Sequence, residues 1–336
     1  MTPTSTVAQP KTKKAPGRVP CGVHVNYTIW EEHRARLEKL REECPGISVT
    51  GGENKNSPRA VEHTKRDDWG CLWHFPGLYL DGQVIEHPLD SWDKFAAWQP
   101  PSPAACAEQI RKQAEKAAAN GKKLTANFEH GFLFLRLTYL RGFENFMIDV
   151  AEDNPKIYKL RDIVADYWYD VLKIYLDCGA VALSGGDDLG HQDRLPISPA
   201  AWRKLLKPAF AKLFGLARAH ELPVRLHTDG YILDIIPDLI ETGVTRLNPQ
   251  DLVNGLDNLA RLAKGKIDIH LDIDRQRITA FGTPAQIDAH IKNCIQTLGS
   301  PEGGLSLTWG VYPGTPIQNI EACARAMQKY HALWVT

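Results

Sequence analysis

The chain has 336 residues, enough to bury a large core, and its 40 basic and 40 acidic side chains cancel. That balance argues against a nucleic-acid platform, which carries a basic excess. No apolar run reaches the length of a membrane span, and Met1 to Arg18 lacks the apolar stretch of a secretory signal.

Residues 1–18 read as a loosely packed leader. Val23 to Tyr27 alternates apolar and polar residues, and a charged helix with a solvated face follows from about Ile29 to Glu43. Gly70 to Phe75, Leu78 to Leu80 and Val84-Ile85 are strand-like pieces, with a hairpin signal at Asp81-Gly82. Trp69, Trp73, Trp92 and Trp98 crowd this region. Most of them are expected to pack a small β-subdomain, and some to line a pocket. Pro100-Pro101-Ser102-Pro103 is a stiff connector before a helix from about Ala104 to Asn120.

From there strand and helix alternate. Strands are expected at 124–128, 180–184, 223–227, 244–248, 267–272 and 305–309. Helices are expected at 132–150, 155–178, 199–220 (capped by Ser198), 231–242, 255–264, 284–298 and 316–333. Short connections without antiparallel interruption predict parallel strands with right-handed crossovers. Six strands after Leu124, with one or two more upstream, predict a (β/α)8 TIM barrel with an N-terminal extension. Residues 19–336 then form one domain, with 19–103 as the N-terminal elaboration and 104–336 as the main barrel repeats. A doubly wound open sheet is the rival, but no Gly-rich dinucleotide fingerprint follows any strand.

In a parallel barrel the chemistry sits where strands end. His227-Thr228-Asp229-Gly230 closes the strand at 223–227. Positions i and i+2 of an extended chain point the same way, so His227 and Asp229 are expected to project together as metal ligands or a proton-transfer pair. The plainer alternative is a strand-end histidine bonded to an aspartate that caps the next helix. Other exits carry Glu129 and His130; Asp187, Asp188 and His191; Asn248 and Gln250; Asp272 and Asp274; Trp309 and Tyr312. Asp187 and Asp188 are candidate catalytic acids or turn caps. Asn248, Asp272, Trp309 and Tyr312 are candidate substrate contacts, and one of Asp272 and Asp274 is a candidate cap. Glu129 and His130 are either surface groups or groups that face the site; His220, His290 and His331 read as surface groups, and His191 as a loop residue. Seven cysteines, odd in number, widely spaced and without a C-x-x-C pair, indicate reduced thiols in a cytoplasm, with Cys178, Cys294 and Cys323 in the core.

Several motifs occur in a consistent order: Arg141-Gly142-Phe143-Glu144-Asn145-Phe146, Gly186-Asp187-Asp188-Leu189-Gly190, Ser198-Pro199-Ala200-Ala201-Trp202-Arg203 with Lys207-Pro208, His227-Thr228-Asp229-Gly230 with Ile236-Pro237-Asp238-Leu239-Ile240, Asn248-Pro249, and Phe281-Gly282-Thr283-Pro284. Together they resemble the uroporphyrinogen decarboxylase superfamily. Asp67 to Trp73 with Glu86-His87-Pro88-Leu89 looks like a divergent branch of that superfamily, and the chain as a whole resembles corrinoid-dependent methyltransferases more than true decarboxylases. The resemblance implies a TIM barrel. Decarboxylases of the family carry an N-terminal Arg-Gln-Ala-Gly-Arg segment for the substrate's carboxylates. Here Arg18 is the nearest candidate, followed by Val19-Pro20-Cys21. The methyltransferases hold zinc on His-x-Cys and a later Cys. His227 matches the first ligand, Asp229 stands in place of the thiol, and Leu307 to Val311 offers no later one.

The resemblance thus implies a methyltransferase moving a methyl group between a small methylated metabolite and the cobalt of a corrinoid protein, in either direction. A zinc site is expected on His227, Asp229 and one of Asp187, Asp188 or Asp272. The alternatives are decarboxylation of a smaller acid, and a non-catalytic barrel whose sign would be a pocket without close pairs of titratable groups.

Overall fold

The computed structural model describes residues 17–52 and 57–334. Eight parallel strands form one curled sheet. In chain order they are β1 (Cys21–Val25), β2 (Ser48–Thr50), β6 (Ala126–His130), β7 (Leu183–Gly186), β8 (Val224–Thr228), β9 (Arg246–Pro249), β10 (Asp268–Asp272) and β11 (Leu305–Val311). An insert supplies the antiparallel strands β3 (Glu62–Arg66), β4 (Leu72–Pro76) and β5 (Gln83–Glu86).

The sheet order β2-β1-β11-β10-β9-β8-β7-β6 is the order of a (β/α)8 barrel opened between β2 and β6. Among the described residues no ladder joins those two edges, so the sheet is TIM-barrel-like with a seam. β2 is only three residues long, and the antiparallel insert follows it in the chain. The N-terminal region therefore does not stand apart as an extension, because β1 and β2 are two of the eight strands. Of the leader, residues 1–16 lie outside the described residues. Gly17 bonds to the carbonyl of Pro301, which puts Arg18 at the N-terminal ends of the strands.

β11 shows how the strands are built. Leu305, Leu307, Trp309 and Val311 are buried, while the alternate residues Ser306, Thr308 and Gly310 are only partly so. Thr308 and Gly310 line the barrel cavity, which places the apolar set on the helix layer. The core lies between sheet and helices, as in other α/β barrels.

Helix ends follow local chemistry. Asn154 and Ser198 accept backbone N–H bonds at the starts of helices 155–177 and 199–205, each with proline at its first position. Thr283 and Gln286 form a capping box on helix 284–298. The expected helix at 29–43 breaks at His33, and two later ones are each broken in two. The first breaks at Gly142, whose φ of +79° ends one helix and begins the next. The second breaks at Leu206, because Pro208 has no N–H to continue the ladder. Leu78 to Leu80 forms a turn, and β2 and β3 were not anticipated; β3 is almost wholly exposed and carries no apolar period.

Candidate active site at the strand C-termini

A cleft opens at the C-terminal ends of the strands, with an inner part of about 370 Å³ and an outer part of about 680 Å³. His130, His227 and Arg275 line both.

Arg225 and His227 occupy the cavity face of β8, while Val224, Leu226 and Thr228 face the helices. His227 Nε2 lies 3.5 Å from Asp229 Oδ1 and 3.8 Å from Asp188 Oδ1. At Gly230 (φ +84°) the chain turns so close to Gly190 that a Cβ would stand 2.1 Å from its carbonyl oxygen. Glycine is required there for β8 to lie against the Asp187–Gly190 loop.

His227 is oriented from behind. Its Nδ1 is 3.1 Å from Asn248 Oδ1, and the Asn248 amide nitrogen donates to the carbonyl of His270. That donation fixes which end of the amide faces His227. The facing oxygen must accept, so Nδ1 carries a proton, and Nε2 is the ring nitrogen that faces the two carboxylates. Burial holds His227 below the ordinary imidazole pKa. Burial, with the charge of Asp188, raises Asp229.

His130 Nε2 bonds to Asp188 Oδ2 at 3.0 Å, and its ring stands 5.6 Å from that of His227. A register shift in β6 after Asn127 brings His130 opposite Gly186, where a Cβ would meet its Nδ1 at 2.6 Å. The bond to Asp188 raises the pKa of His130 above burial's opposing pull. Burial pushes Asp188 up, but His130 outweighs it and the net shift is downward. In metal-free protein, His130 is expected to titrate above 6.5 by NMR and to fall back toward 6.5 in Asp188→Asn. An unchanged midpoint would show that the pair does not form.

Asp187 is elsewhere. Its fully buried carboxylate accepts the N–H groups of Phe134 and Leu135, capping helix 134–141. Burial lifts its pKa to about 7 against those donors. Asp187→Ala should therefore cost about 1–2 kcal/mol of stability, read by urea denaturation, as loss of a helix cap does. A variant as stable as the parent would refute the capping role.

Asp272, buried and lifted by that burial to about 7, bonds to Arg275, which also reaches Asp229 at 3.1 Å. Asp274 caps the turn after β10 through the N–H groups of residues 276–279. Tyr312 lines the outer cleft beneath the Arg275 guanidinium. Trp309 does not reach the cleft: it is completely buried on the helix side of β11. Trp73 lines the outer cleft; Trp69 stacks with Trp98 behind it, and Trp92 donates to Asp149.

Sequence reasoning missed Arg275, Arg225 and Thr308. Glu129 and His130, for which the sequence left surface and site both open, face the cleft, with Glu129 bound to Arg136 at 2.6 Å. His290, read as a surface group, is buried, 2.7 Å from Asp251 and beside Cys294. The seven cysteines are all free; Cys294 and Cys323 are buried and Cys178 partly so.

Among the described residues, three groups of side chains place metal-binding atoms within 4.8 Å of one another: His130, Asp188 and His227; His227, Asp229 and Asp272; and Asp251, His290 and Cys294. The first fits zinc best. It combines two imidazoles and a carboxylate, and the Asn248 bond leaves His227 Nε2 free to ligate. In the second, Arg275 already neutralises both carboxylates. The third is closed in the core.

Fold and site together define an α/β-barrel enzyme class that gathers acid, base and ligand groups at one rim. Residues 79–330 match the uroporphyrinogen decarboxylase (URO-D) family, and the chain belongs to that family. Two uroporphyrinogen decarboxylases are relatives. That of Synechococcus sp. (strain CC9605) is 30% identical over 172 residues, 51% of this chain and 47% of that protein. That of Parasynechococcus marenigrum (strain WH8102) is 28% identical over 271 residues, 76% of this chain and 75% of that one. The alignment thus spans about half of the first relative. A methyltransferase from Methanosarcina mazei shares the fold, with a TM-score of 0.56 and 17% identity over 78% of this chain and 76% of that one. No helix among the described residues is long and apolar enough to cross a membrane.

Proposed function

We propose that the protein is a methyltransferase of the corrinoid-dependent type, acting at His227 with His130, Asp188 and Asp229. One observation carries this reading: His227 Nε2 faces two carboxylates, 3.5 and 3.8 Å away. Arg275 and His130 offset part of the charge of these carboxylates, and a cation or proton among the three groups would relieve the rest. His130, Asp188 and His227 would hold zinc, with Asp229 beside them. Bound there, zinc would act as a Lewis acid toward the heteroatom that carries the methyl group.

The chain's own residues supply the rest. Asn248 fixes the His227 ring. Arg275 holds Asp229 and Asp272 in place. Trp73, Phe75, Tyr139 and Tyr312 give the outer cleft an aromatic wall that orients a small substrate and keeps water from it. A group that titrates in the cleft would give a proton to the heteroatom as its bond to the methyl carbon breaks, and a corrinoid protein at the rim would supply Co(I), whose electron pair takes the methyl as a cation equivalent.

Decarboxylation of a small acid is the second reading, favoured by Asp272, which burial brings near neutrality within the same cleft. A tetrapyrrole with many carboxylates fits poorly, because Arg18 lies at the opposite end of the strands from the cleft. A purely binding barrel fits poorly too, since His130–Asp188 and His227–Asp229 are close titratable pairs.

The test is anaerobic incubation of zinc-loaded protein with cob(I)alamin and a panel of methyl ethers, methyl thioethers and methylamines. Methylcobalamin formation, read by absorbance, is expected. Carbon dioxide release from a small acid, with no methylcobalamin from any donor, would overturn the reading in favour of the lyase.

A further inference from the structure

The inner cleft holds a positive charge that the chemistry at His227 does not use. Arg225 donates to Asn248 Oδ1 and, at 3.4 Å, to Ser184 Oγ, both uncharged groups. Among the described residues no carboxylate stands within ion-pair distance of it. The other arginines that line the cleft all have one: Arg275 has Asp229 and Asp272, Arg136 has Asp67 and Glu129, Arg66 has Glu86, and Arg59 has Asp81. Arg246, on the neighbouring strand, pairs with Asp268.

The surroundings do not supply the missing anion. Asp272, whose charge reaches Arg225, is taken by Arg275. Burial lowers the pKa of His24. His270 is pushed down to about 3 by burial and then by the charges of Arg225 and Arg246. A guanidinium with only neutral partners in a half-buried cavity is an anion receptor. The cavity has room for the anion, since Gly185, Gly186 and Gly310 form part of its wall. Asn127, Ser184 and Thr308 add neutral polar groups around it.

We infer that Arg225 anchors a carboxylate of the substrate, which is therefore a small organic acid. Asn248 Oδ1 accepts from both Arg225 and His227, so a single amide oxygen separates anchor and imidazole. An acid held by Arg225 would lie in the inner cleft with His130 and His227. A phosphate dianion fits less well, because it would set two charges near Asp272 and Asp229 against one free guanidinium. That the bound acid is the substrate rests on the proposed reaction at this cleft; that the cleft binds the acid does not.

Calorimetric titration of the full-length protein with benzoate and with its neutral counterpart benzamide tests the anchor. Benzoate should bind at least about tenfold more tightly than benzamide, the scale of one charge-assisted bond. Arg225→Gln should remove that preference, and Arg225→Lys should keep part of it. Equal binding of the two probes by the parent protein, or a preference that survives in Arg225→Gln, would overturn the inference. The comparison within the parent protein decides the matter even if Arg225→Gln does not fold. Methyl transfer from a neutral ether without benzoate binding would sink the anchor alone, and benzoate binding without methyl transfer would sink the reaction alone.

Discussion

Replacing His227 with alanine should lower methylcobalamin formation by about a thousandfold and reduce bound zinc to well below one ion per chain. The size follows from position. His227 Nε2 belongs to two of the three groups of candidate metal ligands, and its ring lies between Asn248 and the two acids. No neighbour can take its place, because the Asn248 oxygen is directed at Nδ1 and the His130 nitrogen at Asp188. Asn248→Ala should be milder, weakening zinc roughly 10- to 100-fold by freeing the ring to rotate, as loss of an outer hydrogen bond does at other metal centres. Elemental analysis after zinc loading, paired with the absorbance assay, reads both variants. Full activity and zinc content in His227→Ala would show that the reaction lies elsewhere.

The second large effect concerns stability. Arg141 and Asp149 form an ion pair at 2.7 Å with both side chains almost fully buried. Asp149 also accepts from Trp92 Nε1 at 2.7 Å and Asn154 Nδ2 at 3.0 Å, while Arg141 reaches the Leu89 carbonyl and lies 4.1 Å over the Trp92 ring. These bonds hold the segment before helix 107–119 against the helices after β6. Arg141→Ala leaves Asp149 charged and buried among neutral donors, which should cost about 3–5 kcal/mol. Against a total stability of roughly 5–15 kcal/mol, that is a large share. Replacing both residues with apolar ones of similar size should restore much of the loss, since the cost lies in the abandoned charge. Denaturant curves of Arg141→Ala and the double variant check this. An Arg141→Ala variant within about 1 kcal/mol of the parent would refute it.

Arg141 also shows what could be read from the sequence. The stretch from Arg141 to Phe146 carries part of the family likeness, yet it builds the scaffold and stays out of the cleft. The strand rhythm after Leu124 was legible because each β/α unit buries its own apolar run within a short stretch of chain. β2 was not, being three residues long, nor was β3, whose side chains face water. The pairing of His227 with Asp229 was legible because it depends only on the two-residue period of an extended chain. Asp187 and Asp188 are adjacent and identical, yet one caps a helix and the other meets His130; only the turn after β7 separates them. His130 enters the cleft through a register shift that leaves no compositional mark. Trp309 faces the helices because alternation along β11 gives the cavity to Thr308 and Gly310. Arg225 looked like a charge within an apolar run, and its lack of an acidic partner is visible only in three dimensions.

The central claim is that His227 Nε2 and the facing carboxylates hold a cation. Anomalous diffraction at the zinc edge from zinc-loaded crystals tests it most directly. The account predicts a peak at about 2.0–2.1 Å from His227 Nε2, with His130 and Asp188 as its neighbours. Density only at Asp251, His290 and Cys294, or none near His227, would contradict it.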